Sequence, residues 1–570
     1  MTEKTKTICV VGAGLCGLTA IKACLENNLF VTCYEKTSSF GGSWKYRDVT
    51  INGVGSIMKS TVAVTSKEMS AFSDFPPPRF NPNYMDHTLV MAYLEEYAQS
   101  FRLLDHIQFS TEVVNVEKHK EYIHTGQWTV TIEHSSGQFE TETFDAVMIC
   151  IGSFVYPYIP SLTGLSTFKG RILHSNYYKE PSAFTDKKTL VVGIGVSGTN
   201  IATELSHTGQ KLPIYLSTRR GAWIIPRLAD GGLPWDILYS RRYLNILFSR
   251  FLPKAFVADY FEHKANHKMD HGLYKLKPNY RIIERNSTIE DNLSSQIMTG
   301  AIKIKGEIDH FVPQGVVFKD EPGLMQPLDV VILATGFQPK IPIIDETILK
   351  LSSERVELFQ FVFPHTIPLP TLAIIGMVQP NGSIGPIAEM QARWVARIFA
   401  GQCKLPTQKQ MQANPYETDW TRYMDCLAKY IGVKPPLLKM MVRDPKLFYT
   451  CFFGPTAAYQ FRLIGPNSWP KARETILTIG ERAYDFDVKS HRDESINTNE
   501  SKLIVHFDTN PPYIDTRWQA PNGNSPDGAE VVQHPCWFIS LADVGFCVGE
   551  RICECVSFIY IITHECAGTV

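Results

Sequence analysis

Two glycine clusters with the same spacing are the residues of this chain best suited to chemistry. The first is Gly12-Ala13-Gly14-Leu15-Cys16-Gly17, and the second, 181 residues later, contains Gly193, Gly195, Ser197 and Gly198. Each cluster follows a short β-branched run, Ile8–Val11 or Leu190–Val192, and precedes a segment that reads as a helix. A strand, a tight turn and a helix bring backbone N–H groups and a helix N-terminus against a pyrophosphate. The chain is therefore expected to hold two dinucleotides and to transfer electrons between them.

The first dinucleotide is identified by the acidic residue that ends the next strand. Glu35 closes the run Phe30–Glu35 and lies 18 residues after Gly17. A carboxylate at that distance can accept hydrogen bonds from both ribose hydroxyls of an adenosine. Because FAD carries an unphosphorylated ribose, the first cluster is predicted to bind FAD.

The second dinucleotide is identified by arginines at the matching place. The strand Leu212–Leu216 is followed by Ser217, Arg219 and Arg220, with no acidic residue. Arginine suits a 2′-phosphate because it forms paired, charge-assisted hydrogen bonds. The second cofactor is therefore predicted to be NADPH, and Thr199 and Asn200 at the start of the following helix complete its predicted site.

These units predict an α/β protein with two Rossmann-like dinucleotide-binding domains, in which the NADP domain is inserted in the FAD domain. The run Ala146–Ile151 is expected to leave the first sheet, and Asp329–Leu333 is expected to return the chain to it. The predicted domains are residues 1–154 (FAD domain, first part), 155–330 (NADP domain, with a helical substrate-access or membrane-facing insertion at about 225–300), 331–485 (FAD domain, second part) and 486–570 (a polar, then Cys-rich, tail).

Composition sets further limits. The net charge of −1 over 570 residues gives no global field that favours nucleic acid. Met1 leads through polar residues into the first strand, so no cleavable secretory signal is expected. Cys9, Cys16 and Cys33 fall in predicted buried strands or helix starts, as expected of reduced core thiols.

Three further motifs lie along the chain: Phe168-x-Gly170-x-x-x-His174-x-x-x-Tyr178, Gly41-Gly42-x-Trp44 and Ala334-Thr335-Gly336. Together they resemble the flavin-containing monooxygenase family of the N- and S-oxygenating type. Related Baeyer–Villiger enzymes usually end the first motif in tryptophan, and Tyr178 distinguishes this chain from them. The resemblance covers about residues 5–480, and its animal branch is indicated by Ser66-Lys-Glu-Met69, Gly126-Gln-Trp128, Pro234-Trp-Asp236, Gln391-Ala-Arg-Trp394 and Tyr459-Gln-Phe-Arg462.

The resemblance implies a reaction. NADPH reduces FAD, the reduced flavin adds dioxygen as a C4a-hydroperoxide, and a small lipophilic amine or sulfide takes one oxygen atom. The resemblance also places further residues around the flavin: Gly42, Ser43, Trp44, Ala63, Val64, Thr335 and Gly336. His174 is expected to be a structural histidine at the domain junction, and no metal is expected.

Departures from the animal pattern qualify this expectation. Val64 occupies the place where those enzymes carry an asparagine near the flavin, with Ala63 and Thr65 beside it. Valine neither donates nor accepts a hydrogen bond. Val196 and Asn200 stand where asparagine and aspartate are usual. We therefore expect both cofactors to bind and much of the NADPH to be lost as hydrogen peroxide, unless Thr65 or a water supplies the missing hydrogen bond; Val64 and Thr65 are the candidate catalytic positions.

Three activities are alternatives to N- or S-oxygenation. A pyridine-nucleotide–disulfide reductase needs a close cysteine pair beside the flavin, and Cys16, Cys24 and Cys33 do not form one. Baeyer–Villiger oxygenation of ketones is the nearest catalytic alternative. An uncoupled NADPH oxidase or a non-oxygenating FAD- and NADP-binding protein is the third, which Val64 and Val196 permit.

Location is indicated by the resemblance and by two segments. Relatives are microsomal, so the cytosolic face of the endoplasmic reticulum membrane is expected, and Arg241–Lys264 reads as a basic and aromatic helix able to lie on lipid or to pack on the surface. The apolar stretch Cys555–Ile562 is shorter than the roughly 20 residues of a membrane span, which leaves a cytoplasmic location open. The sequence is also compatible with a homo-oligomer. The tail residues Cys547, Cys553, Cys555, His564 and Cys566 match no common zinc spacing.

Overall fold

The computed structural model describes residues 5–209, 211–349, 358–407, 411 and 419–484. The predicted tail, with its cysteines and apolar stretch, lies outside these residues. The strands are, in chain order, β1 Thr7–Val11, β2 Phe30–Tyr34, β3 Ile107–Gln108, β4 Thr111–Lys118, β5 Trp128–His134, β6 Phe139–Phe144, β7 Ala146–Ile149, β8 Tyr156–Pro157, β9 Arg171–His174, β10 Thr189–Val192, β11 Ile214–Ser217, β12 Ile224–Ile225, β13 Thr288–Ile289, β14 Ile302–Lys305, β15 Ile308–Val312, β16 Gly315–Phe318, β17 Met325–Pro327, β18 Val330–Leu333, β19 Phe337–Gln338, β20 Leu358–Phe359, β21 Phe363–Pro364 and β22 Leu372–Ile374.

The helices lie between these strands and after the last of them. In chain order they are α1 Leu15–Leu25, α2 Lys67–Ser70, α3 His87–Ser100, α4 Tyr122–Thr125, α5 Val196–Ser206, α6 Trp235–Tyr239, α7 Arg242–Ile246, α8 Lys254–Lys268, α9 Leu293–Met298, α10 Ile384–Phe399, α11 Trp420–Ile431, α12 Leu437–Arg443, α13 Pro445–Phe453, α14 Ala472–Leu477 and α15 Ile479–Tyr484.

The first sheet is parallel, with strand order β22-β7-β1-β2-β3. Its central strands β1 and β7 are apolar and almost entirely buried, as expected of strands covered on both faces. Helices α1 and α10 pack on one face, where Trp394 is buried. The antiparallel strands β4, β5 and β6 cover the other face, where Trp128 is buried.

The second sheet is also parallel, with strand order β14-β11-β10-β18-β9. Helices α5 and α9 cover one face, and the antiparallel strands β15, β16 and β17 cover the other. The predicted α/β class with two Rossmann-like units is confirmed. In chain order, all strands of the second sheet come after β7 and before β22 of the first sheet, so the second unit is inserted in the first.

One predicted strand connection is wrong. The run Asp329–Leu333 does not return the chain to the first sheet, because β18 lies between β10 and β9 in the second. The strand that returns is β22, which pairs with β7. Both runs are short, apolar and followed by a glycine within a few residues, so periodicity alone cannot assign either of them to a sheet.

The segment Arg241–Lys264 does not form the single helix that was predicted. It contains α7, a π-helical turn at Leu247–Phe251 and the start of α8. Pro253 precedes α8, and proline both lacks a backbone N–H and drives the preceding residue towards extended conformations. Among the described helices, none has the length and apolarity needed to cross a bilayer.

His271 gives the helical insertion a dependence on pH. The residue is fully buried, its Nε2 accepts the Ile224 N–H at 2.8 Å, and its Nδ1 donates to Asn266 Oδ1 at 2.9 Å. Burial lowers its pKa to about 4. The folded state favours the neutral ring. The contribution of His271 to the free energy of unfolding is therefore complete above the unfolded pKa of about 6.5, and it falls by about 3 kcal/mol as the pH drops towards 4.

We therefore expect the urea midpoint of wild type to fall more between pH 7 and pH 4.5 than that of His271→Gln, whose amide oxygen still accepts from Ile224. The exposed His124→Gln variant is the matched control. Equal falls for wild type and His271→Gln would contradict this assignment.

Candidate functional site

The first glycine turn joins β1 to α1. Gly12 has a positive φ of 96°, which favours glycine. A Cβ on Gly17 would lie 1.9 Å from the Gly12 carbonyl oxygen, so helix and turn can pack only with glycine there. Gly14 precedes the helix, and no described side chain caps its N-terminus. The first-turn N–H groups beginning at Leu15 and Cys16 are thus left for an anion.

The loop predicted to lie beside the flavin packs on this turn. Gly41 N–H donates to the Ala13 carbonyl at 2.9 Å, and a Cβ on Gly42 would lie 3.0 Å from Gly14 Cα. Gly42, Ser43 and Trp44, a single 3₁₀ turn, are thereby brought to the first cluster. Sequence reasoning missed Arg47, whose guanidinium donates to the Gly42 carbonyl at 3.0 Å.

Glu35 directly follows β2, and its carboxylate is buried beside the glycine turn. Oε2 accepts the Ala13 N–H at 2.8 Å, while Oε1 accepts the N–H and the hydroxyl of Thr37 at 2.9 and 2.8 Å. Since a carboxylate offers about four acceptor positions, capacity for one further hydroxyl remains. Its predicted role with a ribose stays a prediction.

Val64 lies in a segment that is held by hydrogen bonds of the residues on either side of it. Ala63 N–H donates to the Met85 carbonyl at 2.8 Å, and Thr65 Oγ1 lies 2.8 Å from Ser70 Oγ. A Cβ on Gly385, in the first turn of α10, would lie 3.3 Å from the Ser70 carbonyl oxygen and 3.5 Å from Leu15 Cδ1. The beginnings of α1 and α10 therefore meet at α2. The sequence did not lead us to expect the start of α10 at this place, although Gly385 in its first turn was the available signal.

The second glycine turn joins β10 to α5. Gly193 has a φ of 117°, and a Cβ there would lie 2.3 Å from the Ala334 carbonyl oxygen. A Cβ on Gly198 would lie 2.0 Å from the Gly193 carbonyl oxygen. At Gly195, by contrast, a Cβ would have no described atom within 4 Å, so this glycine faces open space at the uncapped start of α5.

The predicted polar residues of this second site separate into two groups. The hydroxyls of Ser217 and Thr199 are used inside the fold, since Ser217 donates to the Gly306 carbonyl at 2.7 Å and Thr199 to the Gly195 carbonyl at 3.2 Å. Arg219 and Arg220 follow β11, are exposed, and form no ion pair with any described carboxylate. The arginines, rather than the hydroxyls, remain available to an anion.

Thr335 and Gly336 lie where the chain crosses between the two sheets. Thr335 Oγ1 donates to the Tyr158 carbonyl at 2.6 Å, and the Gly336 carbonyl accepts from Tyr158 N–H at 2.9 Å and from His174 Nε2 at 2.9 Å. His174 Nδ1 accepts the Asn176 N–H at 3.1 Å. Burial lowers the pKa of His174, consistent with a neutral ring. These contacts agree with the predicted structural role of His174 at the junction, which stays a prediction.

Several buried cysteines lie near the first turn, where Cys150 adjoins Gly12 and Gly17. Burial raises the pKa of the Cys9, Cys16, Cys33 and Cys150 thiols, which keeps them protonated. Within the described ranges, no group of three or more His, Cys, Asp or Glu side chains could hold a metal ion. The two turns present helix starts without a side-chain cap, with a buried carboxylate beside one and, after β11, arginines that form no described ion pair beside the other.

Comparison with known proteins agrees with this geometry. The profile of the family described as Flavin-binding monooxygenase-like matches residues 5–507. The chain is 37% identical to dimethylaniline monooxygenase [N-oxide-forming] 2 of Cavia porcellus over 497 residues, which cover 84% of this chain and 92% of the relative. In fold it is similar to S-allyl-L-cysteine S-oxygenase from Allium sativum (TM-score 0.56, 19% identity, 85% and 98% covered) and to cyclohexanone monooxygenase from Rhodococcus sp. Phi1 bound to NADP+ (TM-score 0.55, 16% identity, 75% and 98% covered).

Proposed function

The chain belongs to the flavin-binding monooxygenase-like family, and on this basis we propose which of its residues serve each part of the reaction. The protein is a flavin-dependent monooxygenase that uses FAD, NADPH and dioxygen. The flavin, when bound, supplies the redox chemistry and activates dioxygen. The residues of this chain bind the two nucleotides, orient them and exclude water.

We propose that FAD occupies the first turn and NADPH the second. The open space at Gly195 and the uncapped starts of α1 and α5 support two pyrophosphate sites. The remaining acceptor capacity of Glu35 suits one ribose hydroxyl. Arg219 and Arg220 suit a 2′-phosphate, which favours NADPH over NADH.

The proposed substrate is a small lipophilic amine or sulfide. Two observations support this class over ketones: the N-oxide-forming relative at 37% identity, and Tyr178 at the end of the motif that begins at Phe168. The test is to supply NADPH and dioxygen with a tertiary amine, a thioether or a cyclic ketone, and to identify the products. Sulfoxide or N-oxide supports the proposal, and a lactone would replace it with Baeyer–Villiger oxygenation.

We further propose that the enzyme loses much of its NADPH as hydrogen peroxide, and the observation that carries this is Val64. Its side chain cannot hydrogen-bond, and the neighbouring Thr65 hydroxyl is already paired with Ser70. Replacing Val64 by asparagine is expected to lower the peroxide released per NADPH about fivefold, the effect of one added hydrogen bond of about 1 kcal/mol.

The measurement is peroxide and sulfoxide formed per NADPH consumed, with the isosteric Val64→Thr variant as a second arm. Tight coupling in wild type, with little peroxide, would contradict the proposal. Threonine as effective as asparagine would show that any hydrogen-bonding group suffices.

We propose that the protein docks peripherally on the cytosolic face of the endoplasmic reticulum membrane. Two helices present apolar side chains to solvent, with Leu438 80% and Val442 79% exposed on α12 and Tyr449 63% exposed on α13. The neighbouring turn before α8 adds exposed Phe251. Basic residues on these elements form no ion pair with described carboxylates: Arg250, Lys254, Lys439, Arg443 and Lys446. Exposed apolar groups ringed by positive charge suit an anionic lipid surface.

Changing Leu438 and Val442 together to serine is expected to weaken binding to phosphatidylserine vesicles about tenfold, because roughly 1.4 kcal/mol of apolar burial is lost. Vesicle sedimentation measures this, with Ile123→Ser, an exposed apolar residue elsewhere, as control. Binding that is equal for both variants, or equal on phosphatidylcholine, would place any membrane contact on another surface.

A further inference from the structure

Asp236 connects the helical insertion to the segment that contains Val64. The residue lies in the first turn of α6, where Oδ1 accepts the Ile237 N–H at 2.9 Å. Its Oδ2 reaches across to accept the Ser66 N–H at 2.7 Å. Ser66 directly precedes α2 and follows Thr65, so this hydrogen bond acts one residue from the candidate catalytic positions.

Among the described residues, the buried Asp236 carboxylate accepts from backbone N–H groups and forms no ion pair. Burial raises the pKa of this carboxyl. Withdrawing a carboxylate from water costs free energy unless hydrogen bonds or charges compensate it. A neutral side chain could accept the Ile237 N–H equally well, so that contact alone does not account for the charge. The distinctive contact is the charge-assisted hydrogen bond to Ser66.

The α6 side of this contact is fixed to the second part of the FAD domain. Thr456 N–H donates to the Ser240 carbonyl at 2.8 Å, directly after α6. The Arg242 guanidinium contacts both carboxylate oxygens of Asp425 at 2.5 Å. These contacts hold α6 in place relative to the first sheet, so Asp236 has little freedom to follow Ser66 if that segment shifts.

The α2 side is fixed at its first two residues, which directly follow Ser66. Lys67 N–H donates to the Asn83 carbonyl at 2.7 Å, and Glu68 accepts from Arg482 at 2.9 Å and from Tyr459 at 2.8 Å. Towards Val64, the next backbone hydrogen bond is that of Ala63. Ser66 is therefore the point at which the insertion controls the backbone of residues 64 and 65.

We propose that Asp236 is a positioning residue that, by holding the Ser66 N–H, sets the backbone at Val64 and Thr65 and so determines how NADPH oxidation divides between oxygenation and peroxide. This rests on the proposed function. In the productive branch NADPH, H+, O2 and a sulfide give NADP+, water and a sulfoxide. In the unproductive branch NADPH, H+ and O2 give NADP+ and H2O2.

The experiment compares holoenzymes carrying Asp236→Asn, Asp236→Ala and the control Asp291→Asn, which removes a carboxylate from the same insertion where it pairs with Arg227. The ratio of peroxide to sulfoxide is measured with a thioether, beside the anaerobic rate of flavin reduction by NADPH and the change that NADP+ causes in the flavin absorbance spectrum. The ratio is expected to rise about tenfold for alanine, as for the loss of one hydrogen bond to a charged group, and about threefold for asparagine, which still accepts more weakly.

The expected rate of flavin reduction stays within about twofold of wild type in all three variants, because neither nucleotide site is changed. Asp291→Asn is expected to match wild type throughout. A wild-type ratio and spectrum in Asp236→Asn with full flavin content would overturn the proposal, whether or not the alanine variant folds. Equal losses in reduction and oxygenation would instead assign Asp236 a purely structural role. Absence of NADPH-driven flavin reduction in wild type would reject the proposed function, separately from Asp236.

Discussion

Replacing Arg219 by glutamine is expected to lower kcat/KM for NADPH about 100-fold and to leave that for NADH nearly unchanged, because two charge-assisted hydrogen bonds to the 2′-phosphate are lost. Arg219 lies two residues after the end of β11, is exposed and forms no ion pair with a described carboxylate. Since its cation is not used to stabilise the fold, its loss should act on the ligand rather than on folding.

The measurement is the initial rate of flavin reduction at a series of NADPH and NADH concentrations, with the equilibrium affinity for 2′,5′-ADP and 5′-AMP as a second readout. Arg250→Gln, an exposed arginine on the insertion, is the matched control. Equal losses with NADPH and NADH would show that Arg219 does not read the 2′-phosphate, and Arg220→Gln would then be the variant to examine.

A Gly195→Ala variant is expected to fold, retain FAD and lose NADPH affinity by about 100-fold or more, because the added methyl group enters the space left for the pyrophosphate. Gly195 has a φ of −74°, and a Cβ there meets no described atom within 4 Å. The protein itself therefore tolerates alanine, and the cost appears only when the nucleotide binds.

Gly198→Ala is the matched comparison, since its Cβ would lie 2.0 Å from the Gly193 carbonyl oxygen. This variant is expected to lose thermal stability as well as NADPH affinity. Flavin content, melting temperature and the NADPH concentration at half-maximal flavin reduction distinguish the two variants. Normal NADPH affinity in Gly195→Ala would contradict a pyrophosphate site at this turn, and wild-type stability in Gly198→Ala would contradict the backbone contact.

The local parts of both nucleotide sites could be predicted because their signals are local. Gly12 and Gly193 have a positive φ, and the third residue of the helix that follows each of them has no room for a Cβ. Both requirements select glycine, so the glycine pattern of each turn spans only six consecutive residues. The helix predicted to follow the second cluster is present as α5, Val196–Ser206. Glu35 was likewise placed at the end of β2, because strand length fixes that spacing.

The errors concern how distant segments pair. The run before Thr335 was assigned to the wrong sheet, since a buried apolar strand has the same sequence character beside β10 as beside β7. The helix predicted from Arg241 is interrupted between Phe251 and Lys254, and Pro253 is the local signal for that interruption. The hydroxyls of Ser217 and Thr199 bond within the fold, which composition could not show.

The sequence by itself predicted two dinucleotide sites and a 2′-phosphate at the second of them, and it determined that Val64 interrupts the family pattern, because each depends on residue type and short spacing. Only the tertiary structure decided which strands share a sheet, that the start of α10 meets Val64's segment, and that Asp236 holds Ser66 from 170 residues away. The physical reason is that such contacts depend on how whole elements pack, and a single hydrogen bond between distant residues leaves no periodic trace in the sequence.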